Sequence, residues 1–208
     1  MHTSAQADGP ETEQRHMRTV FRAFGEREIS ARVEVAQLDL GADDIANLEE
    51  GDIVILENHE LAFGPEGLSG LAFVKLGAGR NGGLRAQIQS DGDRVRLVVA
   101  GIVVQEEPAE SEMADGSEEQ QQHDIVDDNL PETEGLLRDV PAPVVVELGR
   151  IRMNTAQVIR LRQGQILRLP RGPNDPVDLV VNGKVFARGE LIEVDGELGV
   201  RLLQVTGV

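Results

Sequence analysis

Apolar and polar residues alternate along most of this chain, and the alternation comes in two rounds. From Arg32 to Leu40, Val33, Val35 and Leu38 point one way while Glu34 and Asp39 face water, which predicts a strand half buried against a core. Asp43 or Asp44 then caps a short helix with Ile45 and Leu48 on one face, Gly51 ends it, and Asp52–Leu56 reads as the next strand. After an excursion through Phe63, Gly64, Pro65 and Gly67, three more strands are expected at Leu71–Leu76, Leu84–Gln89 and Val95–Val104. The second round is shorter. Val144–Leu148 and Ile151–Met153 are extended, Asn154 or Thr155 caps a helix carrying Val158 and Leu161, and Gly164 terminates it. Strand Ile166–Leu169, a stiff loop from Pro170 to Pro176, and a meander of Val177–Val181, Val185–Val194 and Leu198–Val205 follow.

The two rounds share a register. Val33, Val35, Leu38, Ile45, Leu48, Gly51, Ile53 and Leu56 match Val146, Leu148, Ile151, Val158, Leu161, Gly164, Ile166 and Leu169, each 113 positions later. Both continue through an Asn-Gly and an Asp-Gly, at Asn81-Gly82 and Asp91-Gly92 and at Asn182-Gly183 and Asp195-Gly196, dipeptides suited to type I′ hairpin turns. Such self-similarity predicts a mainly β protein of two small homologous domains, each with one short helix. Each copy is near the size at which a lone core is marginal, so pairing of the copies, within the chain or between chains, is expected.

Four segments follow from this: a polar N-terminal stretch 1–28 with a short helix from Arg18 to Glu28 carrying Val20, Phe21 and Phe24; a first domain 29–104; a linker 105–139; and a second domain 140–208. The net charge of −17 is concentrated in the linker, which holds 13 acidic residues and 1 basic one. That composition, with Pro108 and Pro131, suits a self-repelling tether in which Ile125, Val126 and Leu130 or Leu136 and Leu137 could form a short sticky segment. A chain this acidic, with no Trp or Tyr and 5 Phe, is unsuited to nucleic acid. There is no cysteine, the N-terminus lacks a basic and apolar start, and the longest apolar run, Leu97–Val104, is too short to span a bilayer, so no membrane insertion is expected.

Candidate chemistry is sparse. Gly77-Ala78-Gly79-Arg80-Asn81-Gly82 has the letters of a dinucleotide-binding turn, but the Leu84-Arg85-Ala86-Gln87-Ile88 alternation that follows predicts a strand where that motif requires a helix. A nucleotide-binding enzyme using the Gly77–Gly83 loop is the reading of a different class. His2, His16, His59 and His123 have no metal-ligand spacing, and Ser69 lacks a nucleophile-elbow context. No catalytic residue, metal or cofactor is expected. What stands out is a set of glycines and charges in the second copy, including Gly149, Arg150, Gly164, Gly183, Gly189, Glu190, Gly199 and Arg201. They supply turns and a cross-strand Glu190–Arg201 pair, or they shape an interface between two such domains.

The runs Val145-Val146-Glu147-Leu148-Gly149-Arg150, Pro176-Val177-Asp178-Leu179, Val181-Asn182-Gly183-Lys184, Ala187-Arg188-Gly189-Glu190 and Leu198-Gly199-Val200-Arg201 resemble the SPOA (surface presentation of antigens) domain. That domain ends the flagellar switch protein FliN and the SctQ family of type III secretion C-ring proteins. The tandem copies with an acidic tether look like SctQ. The resemblance implies SPOA domains paired as an intertwined β dimer, and a non-enzymatic scaffold of the cytoplasmic sorting platform at the inner-membrane base. It implies partners: an SctL-type ATPase regulator, an SctK-type adaptor, and other SctQ copies or a free second SPOA domain. A flagellar motor-switch component is the alternative within the same fold. The residues expected at the domain-pairing or partner interface are Val146, Leu148, Gly149, Arg150, Val181, Gly183, Gly189, Glu190, Val200 and Arg201, with Val181 and Val200 buried. SctQ proteins usually carry a further N-terminal domain, and only about thirty residues precede the tandem here.

Overall fold

A computed structural model describes residues 27–64, 67–77, 82–104 and 140–207. The expected lead-in helix and the acidic tether lie outside these residues, save that Glu28 is already extended. The first copy comprises β1 (Glu28–Leu40), α1 (Ala42–Asn47), β2 (Ile53–Ile55), β3 (Asn58–His59), β4 (Leu61–Gly64), β5 (Gly67–Leu76), β6 (Gly82–Asp91) and β7 (Arg94–Val104). The second comprises β8 (Ala142–Asn154), α2 (Thr155–Ile159), β9 (Ile166–Arg168), β10 (Val177–Val181), β11 (Lys184–Val194) and β12 (Glu197–Val205).

The two copies form one antiparallel sheet in the order β2-β12-β11-β10-β8-β1-β5-β6-β7-β9, with β3 on β1 and β4 on β5. Its centre is the β1–β8 ladder, running from Glu28↔Asn154 to Leu40↔Ala142. Its ends are exchanged. β2, which follows α1 of the first copy, pairs with β12 of the second, and β9, which follows α2 of the second, pairs with β7 of the first. Each copy thus completes the other's meander. The mainly β fold is an intertwined pair formed within a single chain, and buried residues of both copies make one core.

The β1–β8 ladder skips Val35 on one strand and Leu148 on the other. These two bulges stand 113 residues apart, so the irregularity is itself repeated. A bulge adds one residue and shifts the inward phase, which is why Val33, Val35, Ala36 and Leu38 are all buried where strict alternation would put Leu38 outside. It also explains why the expected break between Leu148 and Ile151 is a bend in one long strand.

Local signals act nearly as expected. Asn154 caps α2: its Oδ1 accepts from the Gln157 N–H at 2.8 Å while Gln157 Oε1 accepts from the Asn154 N–H at 2.8 Å. α1 instead starts from Gly41, whose N–H donates to Asp44 Oδ2 at 3.3 Å. Neither helix is ended by its glycine, since Leu48 and Arg160 are the C-caps and Gly51 and Gly164 turn the chain later. Asn182-Gly183 and Asp195-Gly196 are type I′ centres with positive φ at both residues. The first-copy counterpart differs: Asp91 pairs with Arg94, so Gly92 (φ 60°) and Asp93 form the two-residue loop, and of the pair Gly92 alone has positive φ. Glycine at the first central position is the type II′ pattern.

Candidate partner interface

A single row of residues crosses the middle of the sheet. Arg85 (β6), Phe73 (β5), Glu34 (β1), Glu147 (β8), Asp178 (β10) and Arg188 (β11) are successive cross-strand partners. Three carboxylates therefore stand side by side, an arrangement that needs cations. Glu147 is fully buried, and Arg150 Nε donates to its Oε2 at 2.9 Å. Arg32 approaches its Oε1 to 3.9 Å, too long for a hydrogen bond, and that oxygen has none. Asp178, also buried, accepts from Arg188 Nε at 2.7 Å and from the Arg171 guanidinium at 3.1 Å. Burial pushes the Glu34 carboxyl above its ordinary pKa, with Lys75 and then Arg32 opposing the shift and Glu147 adding to it.

The ten interface candidates separate into three places. Val146, Leu148, Gly149 and Arg150 lie on β8 along its ladder with β1, where Val146 faces Ala36, Gly149 faces Val33 and Arg150 faces Arg32. Val200 is buried on β12 opposite Val54 of β2, one of the two exchanged-strand contacts between the copies. The remainder belong to the second copy's own ladder. Glu190 faces Arg201, whose Nε donates to Glu190 Oε1 at 2.7 Å. The pair is partly exposed and contributes less than about 1 kcal/mol. Gly189 is there because a Cβ would stand 2.4 Å from the Arg201 carbonyl oxygen. Val181 is buried opposite Val144, whereas Gly183 is exposed at the hairpin tip.

Sequence reasoning missed Glu147 and Asp178 as buried acids, and Arg171 and Arg188 as the cations on Asp178. The available signal was a carboxylate inside each of two strongly apolar runs, Val144–Leu148 and Val177–Val181. The glycine motif is resolved by its flanks: Lys75 pairs with Gly83, so Gly77 and Gly82 bracket a hairpin and the element after them is a strand. Among the described residues no group of His, Cys, Asp or Glu could hold a metal ion, and no helix is long and apolar enough to cross a membrane.

Residues 136–207 match the family described as type III flagellar switch regulator (C-ring) FliN C-term. The match covers the second copy. Among curated proteins, the FliN-like part is 37% identical over 75 residues to the flagellar motor switch protein FliN of Borreliella burgdorferi, covering 36% of this chain and 66% of that one. It is 37% identical over 70 residues to FliN of Escherichia coli, covering 34% of this chain and 51% of that one. The flagellar motor switch phosphatase FliY of Bacillus subtilis is 33% identical over 70 residues, but these make up 18% of its length and 34% of this chain. The matches thus span half to two thirds of the FliN chains. These relatives carry flagellar names, which favours the motor-switch alternative over the secretion reading.

Proposed function

We propose that this chain is a non-enzymatic scaffold of a flagellar-type C-ring, cytoplasmic and peripheral at the inner membrane, in which the tandem copies supply a preassembled FliN-like pair. The observation that carries this reading is the match of residues 136–207 to the FliN C-terminal family, set beside strand exchange with the first copy. A domain of this kind standing alone lacks the strand that β2 provides. In this chain the first copy supplies that strand to the second. Its contacts are then with other switch proteins of the ring, across surfaces that the pair leaves free.

The type III secretion sorting platform is the second reading, with SctL-type and SctK-type partners and further SctQ copies. The tandem copies and the acidic tether favour it. The two readings share the fold and differ in company. Affinity capture of the full chain from its native cells, with the bound proteins identified by mass spectrometry, separates them. Recovery of flagellar switch proteins, together with loss of motility on deletion, supports the proposal. Recovery of a secretion ATPase with its regulator, and intact motility on deletion, overturns it in favour of the platform.

A further inference from the structure

The central row is repeated but not identical on its two sides. Glu34 matches Glu147, Arg85 takes the place of Arg188, and Phe73 takes that of Asp178. In the second copy the space beside Asp178 is filled from within. Arg171 reaches over Gly149, where a Cβ would stand 3.2 Å from its Cδ, and its guanidinium binds Asp178 at 3.1 Å and the Pro176 carbonyl oxygen at 2.6 Å. At 113 residues earlier, Gly149 corresponds to Ala36 and Arg171 to Asn58. Asn58 is too short to make this reach and is held in the β3–β1 ladder opposite Gln37. The equivalent place over Ala36, beside Phe73 and Arg85, is an open cavity of about 560 Å³.

We infer that this cavity is the seat of an arginine side chain brought by a partner protein. The second copy seats an arginine in the equivalent place, whereas in the first copy Asn58, Phe73 and Ala36 stand where Arg171, Asp178 and Gly149 stand, and the place is left unfilled. Its lining carries Glu34, Glu57 and Glu60 against the single cation Arg85, so it attracts positive charge. Neither Glu57 nor Glu60 has an ion-pair partner among the described residues. Phe73, where the carboxylate of Asp178 would be, offers an aromatic surface on which a planar guanidinium stacks better than an ammonium. A carboxylate beside it can take two parallel N–H donors. Arg85, the ladder partner of Phe73, is outnumbered there by Glu57 and Glu60. This inference holds for either assembly under Proposed function, since it concerns the side chain received and not the protein that bears it.

The test is a titration of the full chain with N-acetylarginine methylamide, followed by NMR at Ala36, Ala72 and Phe73, with the citrulline and lysine analogues as controls. Saturable shifts confined to these residues, with roughly millimolar affinity for so small a probe, are expected for the arginine analogue alone. The double variant Glu57→Gln, Glu60→Gln weakens binding about tenfold or more. Arg171→Ala opens the second seat and adds saturable shifts at Val177 and Asp178. Absence of saturable shifts in the wild-type chain, or equal shifts with citrulline or lysine, overturns the proposal. So does an Arg171→Ala protein that folds but gains no second site; if that variant does not fold, the wild-type titration decides.

Discussion

Val54 stands directly opposite Val200, although they belong to different copies of the repeat, and both are buried. Leu97 and Leu167 form the corresponding pair at the other end of the sheet. A charge at either valine would be buried without a partner. Val200→Asp is expected to lower unfolding free energy by at least about 3 kcal/mol. Denaturant unfolding checks this, and an unchanged midpoint would mean that the exchanged strand contributes little.

Because the copies hold each other by strands, the covalent tether is not what keeps them together. Cleavage within residues 105–139 should leave two fragments that elute as one species in native size exclusion and separate only in denaturant. Fragments that part under native conditions would contradict the exchanged strand order.

Gly70 and Gly77 both have positive φ, and their substitutions should diverge. At Gly70 a Cβ would fall 1.9 Å from the Glu60 carbonyl oxygen, whereas at Gly77 it meets nothing within 4 Å. Gly70→Ala must move the backbone of the β3–β4 excursion and is expected to cost more than about 3 kcal/mol. Gly77→Ala carries only the left-handed backbone penalty of about 1 kcal/mol. Thermal unfolding of the two variants distinguishes them, and equal losses would show that the close approach relaxes freely.

Glu34 gives a pH dependence of unusual sign. Its folded pKa is raised, so the folded state binds this proton more tightly than the unfolded chain. Its contribution to stability therefore falls as pH rises from the ordinary value near 4.5 through the raised one, and is constant outside that window. Glu34→Gln should remove this fall. The variant gains stability relative to wild type at pH 7 compared with pH 4, and a pH-independent difference would argue against the burial cost.

Truncating Arg150 leaves Glu147 buried with Arg32 at 3.9 Å as its remaining cation. Arg150→Ala should cost about 1–3 kcal/mol, and adding Glu147→Gln should restore much of it. Additive losses in that cycle would show that the pair is not coupled.

Much of the fold was legible because strand alternation and the repeated register report which residues face a core. They do not report which strand lies alongside. Nothing in Ile53-Val54-Ile55 says that its neighbour is Leu198–Leu202 rather than a strand of its own copy, so the choice between pairing in one chain or between chains stayed open. β3 and β4 escaped notice because Glu57 to Gly64 mixes apolar and charged residues without a sustained period. The loop at Gly92 slipped by one residue because Asp91 still holds its ladder partner Arg94. Glu34 was expected in water, yet the adjoining ladder, with Lys75, Arg32 and Glu147 around it, leaves its side chain only 17% exposed. Within the candidate interface, Glu147 and Asp178 were hidden for the same reason: a charge on a strand reads as outward until the neighbouring strands and the cations that cover it, Arg150 for Glu147 and Arg171 and Arg188 for Asp178, are placed.

The replacement of Asp178 by Phe73 across the pseudo-twofold has a consequence for assembly. Two identical halves would present the same face after half a turn, and such a block could be laid into a larger array in either orientation. Here one half is closed by Arg171 and the other is open over Ala36, so the block has a front and a back. Any array built on that face therefore inherits a direction from a single chain.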